Sequence, residues 1–242
     1  MISYLKRKTR FLARTPLHPQ WLHRSNSDSY KSLISQIGAG QRVLDIGCYN
    51  KWAQRHLPAG CDYIGLDYYE TATQWYGSVP NVYGDALSLP LAAKSFDVVI
   101  LIYVLEHITD TQLLLQEIHR VLKPEGRAII ALPFLYPVHD APRDFVRLTK
   151  YGIAELADQN NFNVEVCDPI GSPIVTSVFL LNVALTKTAI NWFSKRSICS
   201  LLAIFFPPLI LFNNLFAAIL SKIEVQDGFM ANSYQTILRK KT

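Results

Sequence analysis

The sequence predicts an α/β protein with a doubly wound, mostly parallel sheet, and three features of the chain support this prediction. Short apolar stretches alternate with helical stretches, as expected for parallel strands joined by right-handed crossovers. The first apolar stretch, residues 43–46, is followed by Gly47, which permits a sharp turn. Residues 63–66 form the second stretch, and Asp67 follows it directly. We therefore expect Asp67 and the Gly47 turn to meet at the carboxyl edge of the sheet.

The other elements follow from apolar periodicity and from residues that end helices. A helix is expected from residue 29 to the Gly38-Ala39-Gly40 break, and a strand at residues 97–102 is apolar enough for burial on both faces. A helix over residues 109–123 would begin at a capping box formed by Thr109 and Gln112. The remaining predicted elements are strands at residues 82–83, 127–132 and 162–167 and a helix at residues 150–159.

Composition and charge narrow the class of protein. The chain has 242 residues, which fits one large domain or one domain with an insertion, and it is 50% hydrophobic. Residues 1–24 hold six basic groups and no acid, which leaves 18 basic against 19 acidic groups elsewhere. A neutral body argues against a nucleic-acid surface. The four cysteines lack paired or metal-like spacing and the N-terminus lacks a secretory signal, so a cytosolic chain with reduced thiols and no metal site is expected.

The basic N-terminal segment, residues 1–24, also carries apolar and aromatic residues, among them Phe11 and Trp21. This mixture suits the headgroup region of an anionic membrane. A solvated tail and an organelle transit peptide are alternatives that the sequence leaves open.

Residues 197–220 form an apolar run that is long enough to span a bilayer. Pro207-Pro208 divides this run, and Asn213-Asn214 lies in its second part. Residues 233–240 resemble a last strand, which must return to the same side of any membrane. We therefore expect a helical insertion that covers the pocket as a lid, docks at a membrane interface, or packs in a core or dimer, with a true span as the remaining alternative. The predicted segments are a basic arm (1–28), a core (29–169), the apolar insertion (170–232) and the last strand (233–242).

Five motifs, in this order, are similar to those of the class I S-adenosylmethionine-dependent methyltransferases of the type-11 branch. They are VLDIGC, YIGLD, GDALSLPLAAKSFDVVI, VLEHITD and EIHRVLKPEGRAIIALPF. The resemblance covers residues 41–169 and implies a seven-stranded Rossmann-like sheet with an antiparallel last strand. It also implies S-adenosyl-L-methionine as cofactor. The motif order, the basic N-terminal segment and the apolar insertion together predict methyl transfer to a small-molecule or lipid-linked acceptor. The stretch YPVHDAPRDFVRLTKYGIAEL is similar to branch members associated with sugar and surface-polymer pathways, which suggests a glycan intermediate at the inner membrane face.

The resemblance assigns the nucleoside part of the cofactor to two acids at strand ends. Asp67 would accept hydrogen bonds from both ribose hydroxyls. Asp85 would pair with the adenine amino group, and Ala86 would add a backbone amide. The residues leave open a helix N-cap for Asp67 and a plain turn acid for Asp85.

Asp45, Gly47 and Cys48 would face the methionine end of the cofactor, where an ammonium and a sulfonium favour carboxylate and carbonyl oxygens. A buried acid that caps backbone amides is the alternative for Asp45. Family members usually carry Gly at the position of Tyr49, so this phenol ring either swings outward or fills part of the methionine pocket. Tyr103, at the end of the fourth strand, is a further candidate cofactor contact.

Candidate acceptor-side residues lie where the fourth and fifth strands end. Methyl transfer needs a base only when the acceptor is a hydroxyl. His139 beside Asp140 is a candidate oriented base, and Arg143 is a candidate for an anionic substrate group. Packing at a helix start is the alternative for His107. The predicted set comprises catalytic His139, Asp140 and His107 and substrate-binding Glu106, Tyr136 and Arg143.

Two other functions fit parts of the chain. A catalytically silent nucleoside-binding protein, acting as a membrane-associated interaction module, is supported by Tyr49. A NAD-dependent oxidoreductase is disfavoured because the turn after the first strand lacks the spaced glycines that bring backbone close to a pyrophosphate.

Overall fold

The computed structural model describes residues 14–25, 29–224 and 227–242. Most of the predicted basic arm, residues 1–13, lies outside the described residues. The strands are β1 (Arg42–Ile46), β2 (Asp62–Asp67), β3 (Val82–Tyr83), β4 (Phe96–Ile102), β5 (Leu122–Pro133), β6 (Phe162–Ile170) and β7 (Ser233–Lys240).

These strands form one seven-stranded sheet in the order β3-β2-β1-β4-β5-β7-β6. The pairs β1–β2, β1–β4, β2–β3 and β4–β5 are parallel, and β7 runs antiparallel to β5. Strand order reverses at β1, where β2 lies on one side and β4 on the other. This reversal creates the crevice in which open α/β sheets bind ligands. The predicted fold class is confirmed.

The helices are α1 (Trp21–Ser25), α2 (Ser29–Ser35), α3 (Thr111–Val121), α4 (Lys150–Gln159), α5 (Pro173–Ser194) and α6 (Phe206–Leu220). Shorter 3₁₀ segments lie at Ala53–His56, Leu105–His107 and Ile198–Phe205, and a π-helical turn lies at Thr71–Tyr76.

The centre of the sheet is buried on both faces, as its sequence predicts. Leu44 in β1 and Val99, Ile100 and Leu101 in β4 are all 0% exposed. A near-continuous apolar run of this kind is typical of parallel strands covered on both sides. Burial of these strands fixes the positions of their carboxyl ends, which carry the polar residues discussed below.

The predicted start of α3 is wrong by two residues. The helix begins at Thr111, because the Asp110 carboxylate accepts a hydrogen bond from the Leu113 amide at 2.9 Å and so caps the first turn. Thr109 and Gln112 therefore do not form the capping box. The helix also ends earlier than predicted, at Val121, because Leu122 already pairs with Phe96 as part of the sheet.

The chain divides into two compact units, which we call the sheet unit and the apolar unit. Among the described residues, the sheet unit comprises residues 29–134, 138–168 and 233–242, and the apolar unit comprises residues 14–25, 135–137, 169–224 and 227–232.

Within the apolar unit, α5 and α6 are joined by buried amide side chains. Asn182 donates to Asn214 Oδ1 at 3.0 Å and accepts from Asn213 Nδ2 at 2.9 Å. Asn214 Nδ2 donates to the Pro16 and His18 carbonyls at 2.6 and 3.0 Å. These bonds satisfy amides that would otherwise be costly to bury.

The two prolines do not split the apolar run as predicted. They occupy the first turn of α6, where a missing backbone N–H has no intrahelical partner to lose, so helical structure continues from Ile198 to Leu220. By length and composition, this segment and α5 could each cross a membrane. The sequence analysis recognised only the first of these.

Candidate active site

A cleft of about 500 Å³ lies in the sheet unit at the carboxyl ends of β1, β2 and β4. Its volume falls within the range of small-molecule sites. Its lining includes five of the predicted cofactor residues and three of the predicted acceptor-side residues, namely Gly47, Asp67, Asp85, Ala86, Tyr103, His107, Asp140 and Arg143.

The Gly47 turn ties the end of β1 to the end of β2. Gly47 has a φ of +71°, and the amides of Gly47 and Cys48 both donate to the Leu66 carbonyl, at 2.8 and 3.1 Å. A Cβ added to Gly47 would lie 2.4 Å from Cγ2 of Val104. Glycine is therefore required here both by backbone conformation and by close packing.

Asp67 is the central carboxylate of the cleft. It is 4% exposed, and its oxygens accept hydrogen bonds from the Tyr68 amide at 2.8 Å and the Tyr49 amide at 3.0 Å. Burial raises its pKa, and these two bonds act in the opposite direction. A carboxylate has about four lone-pair sites, so each oxygen can still accept one more hydrogen bond. Because its partners are not amides of the following helical turn, the N-cap alternative is not supported.

Asp85 and Ala86 also line the cleft. Asp85 Oδ1 accepts a hydrogen bond from the Leu87 amide at 2.9 Å, which is the local bond expected of a turn acid. The two interpretations of Asp85 are therefore compatible, because its other oxygen can still accept a hydrogen bond.

Asp45 and Cys48 do not belong to the residues that line the cleft. Asp45 is 5% exposed and accepts a hydrogen bond from the Tyr63 hydroxyl at 2.6 Å. Burial raises the pKa of Asp45 to about 7 and that of the Cys48 thiol to about 12. The buried-acid interpretation of Asp45 fits this geometry, although the partner is a side-chain hydroxyl and not a backbone amide.

An aromatic wall, formed by Tyr49, Tyr68, Trp75 and Tyr76, lines the same cleft as Asp67 and Asp85. Tyr49 has a φ of +45°, and its ring lies edge-on to Tyr76 with centroids 4.7 Å apart. The Tyr49 ring thus forms part of the wall and leaves the cleft open. The π-helical turn brings Trp75 and Tyr76 into the wall, a type of turn that is frequent at functional sites. The sequence analysis missed these residues, whose signal is the concentration of aromatics directly after β2.

Arg143 connects the aromatic wall to the acceptor side. Its guanidinium donates to Glu70 Oε2 at 2.7 Å and lies 5.3 Å from the centroid of the Trp75 ring. The ion pair neutralises part of its charge, while the stacked guanidinium stays at the cleft. Tyr136, which was also predicted to bind the substrate, belongs to the apolar unit, where its ring packs against His23 and Phe179.

The ion-pair partner of His139 is Asp144, not the predicted Asp140. His139 Nδ1 lies 3.2 Å from Asp144 Oδ2, whereas Asp140 is exposed at the cleft. Arg147 donates two hydrogen bonds to Asp144, at 2.6 and 2.7 Å, and this interaction lowers the pKa of Asp144 to about 2. Asp144 is thus a fixed anion that orients the imidazole.

Glu106 is fully buried next to both imidazoles of this region. Its Oε1 lies 3.9 Å from His107 Nε2 and 3.8 Å from His139 Nε2. Burial raises its pKa to about 8. Within the described residues neither Glu106 oxygen has a hydrogen-bond partner. Glu106, which was predicted to bind the substrate, is buried and does not line the cleft, whereas the neighbouring His107 does.

Comparison with known proteins finds a family match for part of the sheet unit. A methyltransferase domain model matches residues 44–130. A demethylmenaquinone methyltransferase of Renibacterium salmoninarum is 30% identical over 106 residues, covering 41% of this chain and 45% of that protein. A probable S-adenosylmethionine-dependent methyltransferase of Mycolicibacterium smegmatis is 32% identical over 142 residues, covering 55% of each chain. The chain spans about half the length of these curated relatives.

A solved structure supports the fold over almost the whole chain. Phosphoethanolamine N-methyltransferase 2 of Haemonchus contortus, in complex with S-adenosyl-L-methionine, superposes with a TM-score of 0.53 at 18% identity, covering 96% of this chain and 60% of that one. Residues 44–130 therefore form a methyltransferase domain similar to those of S-adenosylmethionine-dependent enzymes, and S-adenosyl-L-methionine is the cofactor that this similarity supports.

Proposed function

We propose that the protein transfers a methyl group from S-adenosyl-L-methionine to a small, largely apolar or lipid-linked acceptor bound in the cleft of the sheet unit. The observation that carries this proposal is Asp67, a carboxylate at the tip of β2 that lines the cleft with one lone pair free on each oxygen. The two neighbouring hydroxyls of a ribose could each donate a hydrogen bond to one of the Asp67 carboxylate oxygens. Asp85 and the buried Ala86 extend the same edge toward the adenine.

The cofactor supplies an activated methyl group on a sulfonium, so the protein has mainly to position the two reactants. The Gly47 turn lets backbone approach the methionine end, and the aromatic wall covers apolar surface of the ligand. Tyr103, a candidate cofactor contact, and His107, a candidate acceptor-side residue, both line the cleft. A proton acceptor is needed there only for a hydroxyl acceptor, and the His107, His139 and Asp140 group is the candidate.

The chemistry of the cleft supports an acceptor that is mostly apolar with one polar or anionic group. Tyr68, Trp75 and Ile108 offer apolar surface, and Arg143 offers a cation that Glu70 neutralises in part. The Renibacterium salmoninarum relative is named for demethylmenaquinone, which is a small-molecule acceptor. A lipid-linked glycan intermediate is the second acceptor class that we propose to test.

The test is an unbiased search for methylated product. Cells that contain the intact protein and cells that lack it would be fed methyl-labelled methionine, and their lipid and polar extracts compared by mass spectrometry. A labelled species present only with the protein supports the proposal and shows the acceptor class. Identical extracts, combined with a melting temperature that rises with S-adenosylmethionine, would favour the silent nucleoside-binding protein. A rise with NAD alone would favour the oxidoreductase.

We further propose that the apolar unit docks this enzyme on the cytoplasmic face of a membrane. Large apolar side chains of the 3₁₀ segment Ile198–Phe205 are exposed, including Leu201 at 68%, Ile204 at 73% and Phe205 at 65%. Exposed apolar surface on this scale is typical of a lipid or partner contact. Residues 1–24 add six basic groups without an acid, which suits anionic lipid.

Docking at the surface is favoured over a span by the polar residues inside the two candidate helices. Lys187 lies within α5, and Asn213 and Asn214 lie within α6. Polar and ionisable side chains are costly to place in bilayer hydrocarbon. The return of β7 to the sheet does not itself exclude crossing, because two candidate helices would bring the chain back to the same side. Peripheral docking therefore predicts release from the membrane by alkaline carbonate, whereas a membrane-spanning helical hairpin predicts retention.

Vesicle flotation tests the docking. The full chain is expected to float with anionic phospholipid vesicles and to be released by alkaline carbonate, as a peripheral protein is. Combining Leu201→Ser, Ile204→Ser and Phe205→Ser should abolish flotation, and removal of residues 1–24 should weaken it. The matched control combines Val79→Ser with Tyr151→Ser, two residues of the sheet unit that are 73% and 74% exposed. Equal flotation of all variants would reject the docking, and retention after carbonate would replace it with a span.

A further inference from the structure

We propose that Glu106, His107 and His139 form a binding site for one divalent transition-metal ion at the acceptor side of the cleft. The sequence analysis predicted no metal site, because it considered cysteine spacing and because His107 and His139 are 32 residues apart. The fold brings one donor atom from each of the three side chains to within 4.8 Å of the others.

The distances suit three ligands of one small cation. Glu106 Oε1 lies 3.9 Å from His107 Nε2 and 3.8 Å from His139 Nε2. Ligands about 2.1 Å from an ion, at tetrahedral or octahedral angles, lie roughly 3–3.5 Å from one another. A contraction of about half an ångström, within the reach of side-chain rotation, would bring both Glu106–histidine distances into this range.

Glu106 provides an independent indication of a missing cation. Its side chain is 0% exposed, and within the described part of the chain neither carboxylate oxygen has a hydrogen-bond partner. A buried carboxyl group without partners is costly, and buried charges in proteins are paired or coordinate metals. The nearest polar atoms to Oε1 in this cluster are two imidazole nitrogens, which are themselves metal ligands and lie too far away for a hydrogen bond.

The opposite nitrogen of each imidazole is engaged as expected for a metal ligand. His107 Nδ1 contacts the Arg143 carbonyl oxygen, and His139 Nδ1 lies 3.2 Å from Asp144 Oδ2. Metal-binding histidines commonly donate their second ring N–H to a carbonyl or a carboxylate, which fixes the tautomer and directs the other nitrogen at the ion. Arg147 in turn holds Asp144 in place. Nε2 of each imidazole lies within 4 Å of Glu106 Oε1.

The donor set determines the class of ion. Two neutral imidazoles and one carboxylate suit zinc, manganese or ferrous iron, whereas calcium and magnesium prefer oxygen ligands. The imidazole side chains are 25% and 29% exposed, so an ion held by three protein ligands would keep at least one position open.

A role for the ion rests on the proposed methyl transfer. An acceptor hydroxyl bound at the open position would have a lower pKa and release its proton to solvent. Its oxygen would then form the new bond to the methyl carbon while the carbon–sulfur bond breaks, and S-adenosylhomocysteine would keep the electron pair. His107 lines the cleft, so such an oxygen would lie next to the bound cofactor.

Metal titration without cofactor or acceptor tests the site separately from the proposed function. The full chain, freed of metal with a chelator, would be titrated with Co²⁺ and followed by its visible absorption. The expected result is one equivalent bound, displaced by Zn²⁺. Glu106→Gln and His139→Ala should each weaken Co²⁺ binding at least 100-fold, and Asp144→Asn should weaken it by about 10- to 100-fold.

His56→Ala serves as the matched control, since it removes an imidazole from the same unit that contacts the Trp52 carbonyl. This variant should bind Co²⁺ like the unmodified chain. Circular dichroism establishes that each variant is folded before titration. Absence of Co²⁺ absorption in the unmodified chain would overturn the proposal, as would unchanged binding by folded Glu106→Gln. Loss of binding in His56→Ala as well would assign the metal to nonspecific surface histidines and would equally overturn it.

Discussion

The sheet unit and the apolar unit distribute polar and apolar residues in opposite ways. In the sheet unit, Val99 and Ile100 are 0% exposed, and carboxylates mark the strand ends at the cleft. In the apolar unit, Ile204 and Phe205 are 73% and 65% exposed, while Asn182 is 0% exposed. The first pattern is that of a buried apolar core with a polar ligand site at its edge. The second leaves large apolar side chains exposed, which is the basis of the proposed docking, while buried amides connect the helices.

The largest effect is expected at the glycine turn, where packing in the sheet unit is tightest. Gly47→Ala forces a Cβ to 2.4 Å from Val104 in a left-handed backbone conformation, which should reduce the free energy of unfolding by about 2–5 kcal/mol. Gly228→Ala in the apolar unit has a φ of +80° but no contact nearer than 3.6 Å, so about 1–2 kcal/mol is expected. Urea unfolding measures both. Equal losses would mean that close packing adds nothing at Gly47.

The buried acid of the sheet unit should produce the next largest effect. The pKa of Asp45 is raised by burial from 3.8 to about 7 in the folded protein, so the folded state binds more protons than the unfolded state between these values. Stability from this group therefore falls as pH rises through that window, by roughly 2–3 kcal/mol between pH 5 and pH 8.

Asp45→Asn should remove that part of the pH dependence, because Asn can still accept the Tyr63 hydroxyl without carrying a charge. Chemical unfolding at pH 5 and pH 8 measures the difference. Asp62→Asn, whose side chain is 63% exposed, is the control and should follow the unmodified protein. A pH dependence that is unchanged in Asp45→Asn would show that the acid is not protonated when folded.

The amide cluster of the apolar unit should give a smaller effect. Asn182→Ala leaves the Asn213 amide and the Asn214 carbonyl oxygen without their partners on α5, at a cost of about 1–2 kcal/mol. Asn191→Ala on the same helix replaces an exposed residue and should change stability by less than about 0.5 kcal/mol. Thermal unfolding compares the two. If the two variants unfold at the same temperature, the amide cluster does not hold the helices together.

The sheet was predictable because its signals are local. Apolar runs, glycine turns and terminal acids identify β1, β2 and β4, and β7 was predicted at residues 233–240 as observed. The same reasoning placed Asp67 at the cleft, since the carboxyl ends of parallel strands meet at one edge. Position along a strand was therefore enough to predict which acid reaches the ligand site.

Side-chain partners were less predictable because they depend on tertiary packing. Asp140 precedes the true partner of His139, Asp144, by four residues, and only the loop conformation decides between them. Asp45 looked like a cofactor contact until the fold paired it with Tyr63. The apolar character of α5 was missed because Asn182 and Lys187 interrupt its sequence, although Asn182 is buried and bonded to α6.

Calorimetric titration with S-adenosylhomocysteine tests the central claim, that Asp67 holds the ribose of the cofactor. The unmodified chain and Asp62→Ala, which changes the same residue type at the opposite end of β2, should bind with equal affinity. Asp67→Ala should bind at least 100-fold more weakly, since two charge-assisted hydrogen bonds are worth about 3 kcal/mol or more. If the Ala variant does not fold, Asp67→Asn takes its place in the titration, and it should bind with intermediate affinity. Unchanged affinity in folded Asp67→Ala would contradict the assignment of the cleft.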